Sequence, residues 1–145
     1  MKNSKDRSKV LNELYKISRM GMEASEIILP RVERKDLSEQ IKRQDETYIN
    51  LMEKTCAMLK EGGEAPVSGD AGAEAMLRGS VRTNTFFRRD SAHIARLMIN
   101  GTNMGIIGMT HVMNHTPDCD VKTKKLAEDY LKNEEQNVDK LKKFL

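Results

Sequence analysis

Residues 127–145, AEDYLKNEEQNVDKLKKFL, decide the fold of this chain. Ala127, Leu131, Glu134, Val138, Leu141 and Leu145 recur at alternating steps of four and three, which lines them along one side of an α-helix as a core-facing seam. Traced back to the break at Thr116-Pro117-Asp118, the pattern predicts a helix over about 118–144 with Asp118 as its N-cap. The same spacing recurs upstream. Ile94, Leu97, Gly101, Met104, Gly108 and His111 predict a helix over 91–114, capped by Asp90 or Ser91. Leu37, Ile41, Gln44, Tyr48, Leu51, Thr55 and Met58 predict one over 35–61. Val10, Leu14, Ile17, Gly21, Ala24 and Ile28 predict another over 4–29, stopped by Pro30. A single helix from 73 to 115 would measure about 65 Å, so residues 73–89 are expected as a short helix or kinked extension. The glycines and proline of residues 61–72, EGGEAPVSGDAG, cannot sustain helix and mark the long connection. The expectation is an all-α protein, one domain over 1–145, folded as an antiparallel up-down-up-down four-helix bundle.

Composition agrees with helices and excludes several classes. The 145 residues are 38% hydrophobic, 32% charged and only 4% aromatic, with ten Met and no Trp, which suits a helical core far better than a sandwich or barrel. No apolar run approaches the roughly 18 residues of a membrane span, and the charged start lacks a signal-peptide core, so a cytoplasmic location is expected. Two cysteines, Cys56 and Cys119, are too few for a disulfide framework or a four-cysteine zinc site and read as reduced thiols. A net charge of +3 argues against nucleic acid unless the charge is concentrated.

Polar residues on the seams carry the functional reading. Glu134 falls between Leu131 and Val138 on the core stripe, and a buried carboxylate must be hydrogen-bonded, protonated or metal-bound. Asn100 and Asn103 on the third helix and Tyr48 on the second are its expected partners in a polar core network, while Asp45 and Glu23 are the acids that could join it around a divalent transition metal.

This arrangement resembles the ferritin-like four-helix-bundle superfamily, in particular small bacterial members with a Leu-Asn-x-Leu-like first helix, here Leu11-Asn12-Glu13-Leu14, and a Gly-Gly-x-Pro-like loop, here Gly62-Gly63-Glu64-Ala65-Pro66. The resemblance implies a di-metal centre held by carboxylates from each helix, two of them in Glu-x-x-His units. Those units are missing. Asn137 and Val138 follow Glu134 and Glu135, Tyr48 and Ile49 follow Asp45 and Glu46, and Asn100-Gly101-Thr102-Asn103 stands where the third helix would offer a carboxylate. The chain therefore reads as a ferritin-like bundle with degenerate ligands, acting as a structural, interaction or stress-associated module with no cofactor.

His111 and His115, four apart beside Asp118 and Cys119, form a second candidate metal pair, against the simpler reading of histidines favoured at a helix C-terminus. Arg78, Arg82, Arg88 and Arg89, interleaved with Phe86-Phe87, have the composition of an anion patch, although arginines at such irregular spacing more often form a solvated face. Gly101, Gly105 and Gly108 thin one side of the third helix, for close packing inside the bundle or for a two-fold homodimer seam. No nucleophile stands beside a base and no phosphate-binding glycine loop occurs, so an enzyme is not expected.

Overall fold

The computed structural model describes residues 2–67, 76, 78–82 and 89–145, with side chains from residue 4 onward. All regular structure among the described residues is helical. Four long helices account for most of it: α1 (Lys2–Ile28), α2 (Lys35–Glu61), α3 (Ser91–Asn114) and α4 (Val121–Lys142). Their positions match the seams read from the sequence. Of the short helix expected over 73–89, residues 76 and 78–82 are helical, residue 89 is not, and the others lie outside the described residues. No described helix is long and apolar enough to cross a membrane.

The helix ends follow from local chemistry. Pro30 enters a single 3-10 turn, Leu29–Arg31, that closes α1. Gly63, at φ 77, closes α2: its N–H donates to the Lys60 carbonyl and that of Glu64 to the Leu59 carbonyl, the paired arrangement that a left-handed glycine permits. Asp90 caps α3 by accepting from the His93 N–H at 3.1 Å. The cap of α4 is Asp120, not Asp118: it accepts from the backbone N–H and the hydroxyl of Thr123 at 3.1 and 3.0 Å. Asp118 instead donates its backbone N–H to the Asp6 carboxylate at 2.9 Å, which ties the α3–α4 turn to the start of α1.

Packing makes α1 the central partner, in contact with α2, α3 and α4. One end of the molecule holds Ile28, Leu37, Ile41, Ile94, Met98 and Leu141. The other holds Val10, Leu14, Met109, Ala127 and Tyr130, beside a smaller group of Leu11, Met58 and Leu59. Direction is written in these clusters. The end of α1, the start of α2, the start of α3 and the end of α4 meet at one pole. An up-down-up-down order would bring the start of α3 to the end of α2, so that expectation fails at this step. The end of α2 and the start of α3 lie at opposite poles, and α3 runs in the same direction as α2.

The buried faces of α2 and α4 carry most of the predicted seam residues. In α3 the core stripe is Ile94, Ala95, Met98, Thr102, Gly105 and Met109. The predicted stripe is turned away by about one residue: Gly101 and His111 are exposed and Met104 is 65% exposed. In α1 the fully buried positions include Leu11, Ser18 and Ser25, whereas the predicted Ile17, Gly21 and Ala24 are half-buried. Burying those serines is tolerable because each hydroxyl donates back to a carbonyl four residues earlier, Leu14 and Gly21 respectively.

Candidate functional site

Glu134, on α4, is 1% exposed. Tyr48 of α2 donates its hydroxyl to Glu134 Oε2 at 2.8 Å, and Asn137 Nδ2, one turn along α4, donates to Oε1 at 2.9 Å. The chain of contacts continues outward. Gln40 Nε2 donates to Asn137 Oδ1 and Gln44 Oε1, both at 3.2 Å, and Arg43 caps the network at Gln40 Oε1. A fully connected buried network of this kind fixes the register of α2 against α4. Burial pushes the Glu134 carboxyl above its ordinary range, although the Tyr48 and Asn137 hydrogen bonds pull it back down.

Of the partners expected for Glu134, the structure brings Tyr48 to it; Asn100 and Asn103 are exposed, because α3 is rotated relative to the predicted seam. Asn137 and Gln40 take their places. The signal for them was local spacing, since Glu134 and Asn137 are three apart and Gln40, Gln44 and Tyr48 step by four on one helix face.

Of the acids considered as metal ligands beside Glu134, Glu23 is already in ion pairs and, among the described residues, Asp45 is not. Glu23 pairs with Arg19 at 3.4 Å and with Arg78 at 3.1 Å. Asp45 is pushed up to about 6, first by burial and then by the negative charges of Glu26 and Glu46, and its Oδ1 has no hydrogen-bond partner among the described residues. His111 and His115 stack at 4.4 Å between ring centroids on an exposed helix end, with His115 Nδ1 bonded to the His111 carbonyl at 2.7 Å. Among the described residues, no three His, Cys, Asp or Glu side chains converge as a metal site. The donors present therefore do not fit a di-metal centre. In the arginine patch, Arg78 is committed to Glu23, Arg82 and Arg89 are exposed, and Arg88 with Phe86 and Phe87 lies outside the described residues. Cys56 and Cys119 are free thiols.

A feature the sequence did not announce lies between α1 and α3. The half-buried stripe of α1, from Ile17 through Met20, Gly21 and Ala24, faces Leu97, Gly101, Met104 and Gly108 of α3 across a cavity of about 400 Å³. Its walls are mostly apolar, and Tyr48, Tyr130 and Glu134 close its deep end. Two glycines shape this floor. A Cβ on Gly21 would lie 2.8 Å from the Tyr48 ring, and one on Gly105 would fall within contact of the Tyr130 hydroxyl and 2.9 Å from Ile17 Cγ2. Gly101 differs, for a Cβ there meets nothing within 4 Å.

Tyr130 is the unusual member. It is 5% exposed, yet its hydroxyl finds no hydrogen-bond partner among the described residues. Leaving such a group unsatisfied costs roughly 1–3 kcal/mol. Its phenol is pushed well above the usual tyrosine range by burial, then by the charges of Glu134, Tyr48 and Glu13. The arrangement is a concave apolar chamber with a few convergent polar atoms at its base, the common form of a small-molecule site. Comparison with protein-family models, curated proteins and solved structures finds no match for this chain.

Proposed function

We propose that this chain is a four-helix bundle of ferritin-like arrangement, antiparallel within the α1/α2 and α3/α4 pairs, that carries a metal-free polar network at its centre and binds a small, largely apolar ligand between α1 and α3. The ferritin-like part is supported by the single long connection joining opposite poles, since such bundles have one crossover. The ligand-binding part rests on one observation: a buried Tyr130 hydroxyl, without a hydrogen-bond partner among the described residues, at the base of an apolar cavity of about 400 Å³. That volume lies within the roughly 300–1,000 Å³ typical of ligand pockets.

The neutral, environment-sensitive dye N-phenyl-1-naphthylamine tests the reading. One saturable site is expected, lost in Gly101→Phe, whose ring would occupy the cavity from a position with free space, while circular dichroism stays unchanged. A dye signal that fails to saturate, or that survives Gly101→Phe, would reject the pocket. Metal analysis of the purified protein tests the other half. Stoichiometric metal that disappears with Glu134→Ala would overturn the metal-free centre. A structural or interaction role, as expected from the sequence, is what remains if the dye does not bind.

A further inference from the structure

Resting on the pocket reading above, we infer that the natural occupant is an apolar molecule bearing a protonated amine, seated with its nitrogen toward Glu134 and the Tyr130 hydroxyl. The charge at the deep end decides this. Glu134 reaches the cavity wall, and both hydrogen bonds found for its carboxyl come from the neutral donors Tyr48 and Asn137. Among the described residues, the basic side chain lining the cavity is Lys16, which pairs with Glu13 at 3.0 Å and is 45% exposed. A buried carboxylate without a cation is costly, and an ammonium entering the chamber supplies the missing charge.

The free valences match as well. Each Glu134 oxygen accepts one bond within the protein and, as a carboxylate oxygen, has room for another; the Tyr130 oxygen can accept one too. An ammonium offers three donors and no acceptor, which suits these three oxygens. A carboxylate-headed ligand would instead meet Glu134 with like charge. An alcohol would satisfy Tyr130 but leave the acid without a counter-charge.

Binding of decylamine, decanol and decanoate to the 145-residue chain at neutral pH, followed by isothermal titration calorimetry, tests the inference. Decylamine is expected to bind on the order of tenfold or more tighter than decanol, with decanoate weakest. Glu134→Gln should abolish the preference for decylamine over decanol. Tyr130→Phe, which removes the partnerless hydroxyl without altering the cavity shape, should weaken decylamine severalfold and leave thermal stability equal or higher; it keeps the test open if Glu134→Gln fails to fold. Gly101→Phe should abolish binding of all three. Equal affinities, or preference for decanoate, with loss in Gly101→Phe would sink the cationic head and leave the pocket standing. Absence of binding by any probe, or binding indifferent to Gly101→Phe, would remove both.

Discussion

Glu134 and Asp45 are acids held where their charged forms are disfavoured, and this links stability to pH in a definite direction. For a carboxyl whose folded pKa is raised, the unfolded chain gives up its proton first as pH rises, so stability falls from the unfolded value up to the folded one and stays reduced above it. Below the unfolded value there is no penalty. For Asp45 the window runs from 3.8 to about 6; for Glu134 it opens at 4.5 and extends upward. Urea unfolding across this range should show the wild-type chain losing stability relative to Asp45→Asn between those two limits. Relative to Glu134→Gln the loss should begin above 4.5. Parallel pH profiles for variants and wild type would contradict the placement of both groups. The glycines of α3 give a second pair of opposed outcomes. Gly101→Ala meets open space and should stabilise by about 0.5–1 kcal/mol through helix propensity. Gly105→Ala collides with Tyr130 and Ile17 and should destabilise by roughly 1–3 kcal/mol. Sequence could identify both as costly mid-helix glycines, but not which faced an open cavity.

At the level of elements, the helices were legible because each seam repeats over several turns and each break has its own chemistry. Pro30, the glycines after Glu61 and Asp90 all act where the sequence places them. The start of α4 was read three residues early, since Asp118 and Asp120 are both competent caps and only the fold shows that Asp6 takes the Asp118 N–H. Asp120→Ala should therefore cost about 1 kcal/mol in thermal or urea unfolding, whereas Asp118→Ala, which leaves the backbone N–H in place, should cost little. Equal losses from the two would restore Asp118 as the cap. The rotation of α3 was harder to see. With Leu97, Met98, Met104, Gly105, Gly108 and Met109 spread around it, two adjacent stripes are nearly equally apolar, and the choice between them depends on what the neighbouring helices present. That ambiguity hid the pocket as well: the stripe taken for core is the cavity wall.

For the whole molecule, a chain order can be inferred from sequence only where connections are too short to permit alternatives. The turns after α1 and α3 are short enough to make neighbours of the helices they join; residues 62–90 can reach either pole. The outcome is visible in the apolar group at one pole, which holds Ile41, near the start of α2, together with Ile94, near the start of α3. Ile41→Val and Ile94→Val should each cost about 0.5–1.5 kcal/mol in equilibrium unfolding, since both side chains are fully buried at that pole.

The same arrangement sets where force would act. Because α1 begins at the pole opposite to that where α4 finishes, handles on the two termini would stand about 40 Å apart, the length of a helix such as α1. Pulling on them would load the long axis and slide neighbouring helices past each other, so many side-chain contacts would have to yield together. In the alternating order both handles would share a pole and the same pull would peel the helices apart one turn at a time. A tug between its ends therefore meets this molecule along its mechanically stiffer direction.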